Sequence, residues 1–305
     1  MSSASSSSCP SSTSSEKTEG PRQARPLPHP GVEMTRFLIT PVWQGSPSAR
    51  AMQLVDGAEA IAGDLPRAAC TSVPVPLGAG EALGTGVHRY SALRQVQQDL
   101  REALAASDER ALTVGGDCSV GVAAVERSAR AGRIAVVWVD AHPDLHTPES
   151  SSSHAFGGMA LRAVLGDGAT DLALAAGTVS PADVVLVAAR AMDEAEQEYI
   201  DAHGITVIDA AALSDAAVLA QTVQGLGVDA VHVHIDVDAL DPAEMPGVKD
   251  SEPFGASLPE LVAGLKALRE AVPLAGSSLA GFAPASPAAA SDDMGTLLRL
   301  VGALA

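Results

Sequence analysis

Two short stretches concentrate the residues able to hold a cation. Residues 139–146 read V-D-A-H-P-D-L-H, and residues 233–242 read V-H-I-D-V-D-A-L-D-P. Each closes an apolar run, and each places acids or histidines at every second position. Side chains on an extended strand alternate faces with period two. Asp140, His142 and Asp144 therefore project to one side if the extended geometry continues through them. The same rule aligns His232, His234, Asp236 and Asp238. Four carboxylates and at least one imidazole in one crevice carry too much negative charge to stand uncompensated in a semi-buried place. Such an oxygen-rich set with one or two nitrogens suits Mn2+ better than a soft metal. Bridging carboxylates would set two ions ~3.5–4 Å apart, the arrangement that activates water for hydrolysis. A lone D-x-D after a strand commonly does no more than cap the next turn. A D-x-H-x-D and a D-x-D-x-x-D-P, each ending a strand of the same chain, favour the metal.

The elements that must position these residues alternate. Short runs rich in valine and isoleucine occur at 36–42, 111–114, 134–139, 184–189, 205–208, 229–237 and 272–280. Stretches with helical spacing lie between them, for example 47–63, 89–107, 192–203 and 258–270. Strands without polar alternation, separated by helices, predict a parallel sheet covered on both faces. Ligands of such sheets bind beyond the carboxyl ends of the strands, where both acidic clusters fall. The chain of 305 residues fits one large α/β domain, and nothing divides residues 34–305. Residues 1–33 stand apart: serine-rich, then R-P-L-P-H-P-G, they cannot bury a core and read as a disordered tail. Met34, just before the first strand-like run, is a candidate translation start.

A formal charge of −18 argues against nucleic acid and anionic membranes as partners. Cys9, Cys70 and Cys118 are too few and too scattered for a disulfide framework. Neither a membrane span nor a signal peptide is legible, so a reducing cytoplasm is expected.

D-A-H-P-D and H-I-D-V-D-A-L-D-P resemble two signature motifs of the arginase/agmatinase/formiminoglutamase superfamily, the ureohydrolases. A third motif stands at 115–119 as G-G-D-C-S, where the family typically reads G-G-D-H-S. The resemblance covers the chain from about residue 36. It implies a three-layer α/β/α domain on a mostly parallel, eight-stranded sheet, a dinuclear Mn2+ site, and hydrolysis of a guanidino or amidino C–N bond by a bridging hydroxide. Homo-oligomers, trimers or hexamers, are usual. Carried over by position, Asp140 and Asp236 bridge both metals. Asp144 completes one site, with a ligand from the G-G-D-C-S turn; His142 and Asp238 complete the other. Asp117 and Asp241 read as structural. His234 reads either as an outer partner of Asp236 or as a core histidine satisfied by a backbone group. V-A-A-R-A-M-D-E-A-E at 187–196 matches the segment whose aspartate contacts a substrate amino group. Asp193 is that residue, with Arg190 and Glu196 as scaffold; the alternative is an exposed aspartate at a helix N-terminus.

Three departures qualify the resemblance. Cys118 replaces a histidine ligand: as a thiolate it favours Zn2+ or Co2+ over Mn2+, and as a buried thiol it leaves one position vacant. Gly157, followed by Gly158, stands where arginases carry a proton-shuttle histidine, leaving His154 or His146 to reach in; a lost general acid–base costs about 10²–10⁴-fold. Gly281 stands where a glutamate would pair with a guanidinium, which weakens the case for plain arginine. The cysteine and the glycine pair are loosely similar to an Nω-hydroxy-arginine amidinohydrolase, whose hydroxyguanidine substrate is less basic. The leading expectation is a metal-dependent ureohydrolase acting on a small guanidino or amidino substrate, with His154 and Asp144 in catalysis. The alternatives are a catalytically impaired binding or regulatory protein of the same fold, and a hydrolase of another amide-type substrate at the same site.

Overall fold

Runs such as RFLIT, IAVVWV and AVHVHID are buried along their whole length or nearly so, as strands covered on both faces must be. The computed structural model describes residue 1, residues 35–248 and residues 250–305, so the expected tail lies outside the described residues apart from Met1. Eight strands form one sheet: β1 (Arg36–Thr40), β2 (Cys70–Ser72), β3 (Ala111–Gly115), β4 (Ile134–Val139), β5 (Val184–Val187), β6 (Thr206–Ile208), β7 (Ala230–Asp236) and β8 (Leu274–Ala280). Their spatial order is β2-β1-β3-β8-β7-β4-β5-β6, and every pairing is parallel. The expected parallel α/β sheet is present. The three-residue edge strand β2 adds to the seven apolar runs visible in the sequence; C-T-S is too short and polar to announce itself.

Among the described residues, eight α-helices cover the sheet: α1 (Gln53–Asp64), α2 (Tyr90–Ala105), α3 (Val120–Ser128), α4 (Ala160–Val164), α5 (Glu194–His203), α6 (Val218–Gly225), α7 (Leu258–Ala271) and α8 (Ala290–Leu304). Period-two alternation divides the core into two layers. Phe37, Ile39, Val137, Val139, Val233 and Ile235 face helices α1, α6, α7 and α8, whereas Leu38, Val136 and Trp138 face α2 to α5. Successive strands β3 and β4 are separated in the sheet by β8 and β7. Connections leaving their carboxyl ends therefore diverge, which opens a crevice at that point. In the β4–β7 register Val139 lies opposite Ile235, so Asp140 and Asp236 emerge side by side at the crevice.

Strand β7 buries two histidines completely. His232 Nδ1 lies 2.8 Å from Ser128 Oγ and its Nε2 3.2 Å from Ser278 Oγ. His234 Nδ1 lies 2.7 Å from the same Ser278 Oγ, and its ring stacks on Trp138 at 3.7 Å between centroids. Burial lowers His232 to about 3 and drives His234 in the same direction. Between pH 3 and 6.5 the unfolded chain therefore binds a proton at His232 that the folded chain excludes. That share of stability is complete above pH 6.5 and is lost as pH falls, by up to ~1.4 kcal/mol per pH unit. His232→Gln should flatten the fall of unfolding free energy between pH 6.5 and 4 in urea titrations; an unchanged slope would exonerate the residue.

Close packing of helix on loop makes a second prediction. Gly57 in α1 lies so near Phe282 that an added Cβ would overlap the Phe282 carbonyl oxygen. Alanine ordinarily gains ~1 kcal/mol over glycine in a helix, but here the overlap reverses the sign. Gly57→Ala should lower stability by ~1–3 kcal/mol, read from the urea midpoint.

Candidate metal centre

Three strand ends, those of β3, β4 and β7, supply the candidate ligands. At the end of β3, Asp117 turns the chain: its carboxylate accepts from Gly45 N at 2.8 Å and Ser119 N at 3.0 Å. The turn delivers Cys118 into the crevice, where Sγ sits 3.0 Å from Asp236 Oδ2 and 3.6 Å from Asp140 Oδ2. After β4, Asp140 Oδ1 accepts from His142 N at 2.7 Å. Past β7, Asp236 Oδ1 accepts from Asp238 N at 3.0 Å, and Asp238 Oδ1 accepts from Ala141 N at 3.1 Å. The two acidic turns thus hold each other in place. His142 Nδ1 lies 3.2 Å from Asp238 Oδ2 and 3.5 Å from Asp140 Oδ1.

The strands themselves stop at Val139 and Asp236, so extended alternation does not carry through the motifs. Asp144 reaches the crevice because its backbone is left-handed, with φ +54°, a conformation uncommon outside glycine, asparagine and aspartate. Asp140, Asp144, Asp236, Asp238 and Cys118 are all buried, and His142 is half-buried. Cys118, Asp140, His142, Asp144 and Asp236 line one cavity of about 160 Å³, and Asp238 stands behind His142. His146, Gly157, Gly158, Glu196 and Asp250 are also part of its wall.

The electrostatics are those of a cage waiting for positive charge. Burial, then Asp236, Asp144 and Asp140, push the Cys118 thiol well above its ordinary range. Burial and Asp238 raise Asp140 to about 6. Burial alone would depress His142, yet its bonds to Asp140 and Asp238 hold it up to about 12. A divalent cation would reverse these shifts, since it deprotonates a coordinating thiol and competes with the imidazolium proton. The donors fit such an ion: Asp140, His142 and Asp238 form one compact group, and Cys118, Asp140 and His234 another. His234 Nε2 is buried and has no hydrogen-bond partner among the described residues.

The remaining expected residues divide. His154 is not among the lining residues: with φ +52° it turns outward, its Nδ1 3.0 Å from the Gly86 carbonyl and its ring 5.5 Å from that of His88. His146 does line the cavity, and a Cβ on Gly158 would lie 3.8 Å from its Cδ2. Its Nε2 stands 3.5 Å from Asp193 and 3.8 Å from Glu196. Asp193 is not among the lining residues; it is the N-cap of α5, in a capping box with Glu196, and reaches the cavity only through its contact with His146. Arg190 reaches six backbone carbonyls, those of Ala188, Asp238, Ala239, Leu240, Glu252 and Pro253. It thereby ties the turn after β7 to the loop that follows. Gly281, at φ +87°, donates to the Gly116 carbonyl at 2.8 Å, and any Cβ there would overlap Asp236 Oδ1. A side chain at 281 is incompatible with this position of Asp236.

Residues 40–296 match the model of the arginase family. Arginase of Staphylococcus aureus (strain COL) is 37% identical over 173 residues, covering 53% of this chain and 57% of that protein. The matched stretch is thus little more than half the length of the relative. Among solved structures, Entamoeba histolytica arginase in complex with L-ornithine superposes with a TM-score of 0.78 at 21% identity, covering 89% of this chain and 97% of that one. Arginase from Bacillus cereus gives 0.73 at 25% identity, over 88% and 97% of the two chains. The first of these likenesses is one of fold, and the eight-stranded parallel sheet agrees with it. With the family model matching most of the chain, the chain belongs to the arginase family.

Proposed function

We propose that this chain is a metal-dependent hydrolase of a guanidino or amidino C–N bond. The observation that carries the reading is the convergence of Cys118, Asp140, His142, Asp144 and Asp236 on one cavity at the sheet's carboxyl edge, with Asp238 behind His142. Asp140, Asp236, Asp144 and Cys118 would hold one divalent cation. Asp140, Asp236, His142 and Asp238 would hold the other. When bound, such a pair supplies activation of water and stabilisation of developing negative charge. Mn2+ suits the carboxylate-rich side, and the Cys118 sulfur shifts its side toward Zn2+ or Co2+.

The protein's own groups set the rest. Asp193, 3.5 Å from His146, would orient the amino end of a small amino-acid-like substrate. His146, against Gly158, is the imidazole placed to exchange a proton near the leaving nitrogen, whereas His154 faces away. Gly281 offers no carboxylate to a guanidinium, so a less basic hydroxyguanidine such as Nω-hydroxy-arginine is the preferred substrate over arginine. On family grounds the working form is a cytoplasmic homo-oligomer, trimer or hexamer. Among the described residues no helix is long and apolar enough to cross a membrane.

Protein loaded with Mn2+ under reducing conditions should release hydroxyurea from Nω-hydroxy-arginine faster than urea from arginine. Agmatine, guanidinobutyrate and formiminoglutamate complete the panel, with products read by mass spectrometry. Two bound ions and silence across the panel would instead favour a catalytically impaired binding protein. Asp236→Asn should remove metal from both positions after dialysis, because that carboxylate is common to both. Two ions retained in the variant would dismantle the assignment.

A further inference from the structure

One buried group has no task in this scheme. His234 is fully enclosed, yet its Nε2 lacks a hydrogen-bond partner among the described residues. A buried polar atom left so is destabilising, so this nitrogen calls for a partner. A ring nitrogen of His234, Cys118 Sγ and a carboxylate oxygen of Asp140 lie within 4.8 Å of one another.

The relay behind the ring decides which nitrogen is open. Ser128 Oγ donates its one hydrogen to the Ala124 carbonyl at 3.1 Å, so it accepts from His232 Nδ1 at 2.8 Å. A neutral, buried His232 then has its lone pair on Nε2, which accepts from the Ser278 hydroxyl at 3.2 Å. With that hydrogen committed, Ser278 Oγ accepts from His234 Nδ1 at 2.7 Å. His234 consequently presents a bare lone pair at Nε2. This is the tautomer and outer-partner arrangement of a metal-bound histidine, held by a hydroxyl on its far nitrogen. The ring is also fixed in orientation, stacked on Trp138 at an interplanar angle of 22°. Gly121 makes the room: a Cβ there would stand 2.7 Å from Trp138 and 3.1 Å from His234 Nδ1.

We infer that His234 Nε2 is a direct ligand of the cation on the Cys118 side, an imidazole supplied from β7 where the G-G-D-C-S turn supplies a thiol. The inference rests on the cavity being a metal cage. The donor set becomes sulfur, nitrogen and carboxylate oxygen, a borderline combination that accepts Zn2+ or Co2+.

The test uses the full chain, stripped of metal and reloaded with Co2+, with imidazoles counted by X-ray absorption. Wild type should show two imidazoles per pair of ions, from His142 and His234, together with a thiolate-to-cobalt charge-transfer band. His234→Ala should show one imidazole, and its affinity for the ion on the Cys118 side should fall by more than the ~10–100-fold that outer partners cost. His234→Gln, which can still donate to Ser278, serves if the alanine variant fails to fold. His232→Gln, one step back in the relay, should keep both imidazoles. A single imidazole in wild type, or unchanged count and affinity in the His234 variants, overturns the inference while leaving the cage intact. Failure of wild type to retain cobalt overturns both.

Discussion

The register between β4 and β7 is the constraint on which the rest depends. It sets Asp140 beside Asp236 at the carboxyl edge of the sheet, with Asp144 and Asp238 following within the same turns. Like charges so placed in a low-dielectric site repel strongly unless something positive joins them. The surrounding structure is arranged to keep them there regardless. Backbone amides at His142, Ala141 and Asp238 donate to the carboxylates, and His142 bridges Asp140 and Asp238. Each such bond fixes a carboxylate in a position that a cation would exploit, at a free-energy cost that the metal would offset.

Close approach is the second half of that arrangement. Gly281 and Gly116 pass each other at hydrogen-bonding distance beneath Asp236. An added Cβ at 116 would overlap the Val42 carbonyl, and one at 281 would overlap Asp236 itself. Arg190 then clamps the outer loops from behind through carbonyl groups alone. A guanidinium can serve several acceptors in one plane because its donors form a rigid fork. The cage is thus framed on one side by missing side chains and on the other by one very large one.

Much of this was legible in the sequence, because strand runs and acidic spacing are local signals. The valine-rich runs gave seven strands, and the two acidic motifs placed Asp140, His142, Asp236 and Asp238 together. What failed to show was non-local or conformational. The strand β2 owes its existence to pairing with β1 over Phe37–Ile39 and carries no apolar signature. Asp144 reaches the cavity through a left-handed backbone rather than through extended alternation. His154 and His146 are equivalent on paper; the turn that bonds His154 to Gly86 separates them. His234 was aligned with Asp236 by period two, but its open nitrogen depends on Ser128 and Ser278, distant in sequence and joined only by the fold.

The departures from the family pattern are then coherent with one another. A thiol at 118 is shorter in reach than an imidazole, and a ring nitrogen of His234, stacked on Trp138, lies within 4.8 Å of its sulfur. Gly121 is what lets that ring lie against α3. Likewise His146 lies against the glycine pair at 157 and 158, held by Ser150 at 3.1 Å and near the α5 capping box. An imidazole thus stands near each departure: His234 of β7 near Cys118, and His146 in the same connection that carries Gly157 and Gly158. A chain merely decaying from an enzyme would be expected to lose its buried carboxylates first, since without a cation they only destabilise the fold. Their presence, with His234 and His146 close by, favours the proposed metal cage over one abandoned.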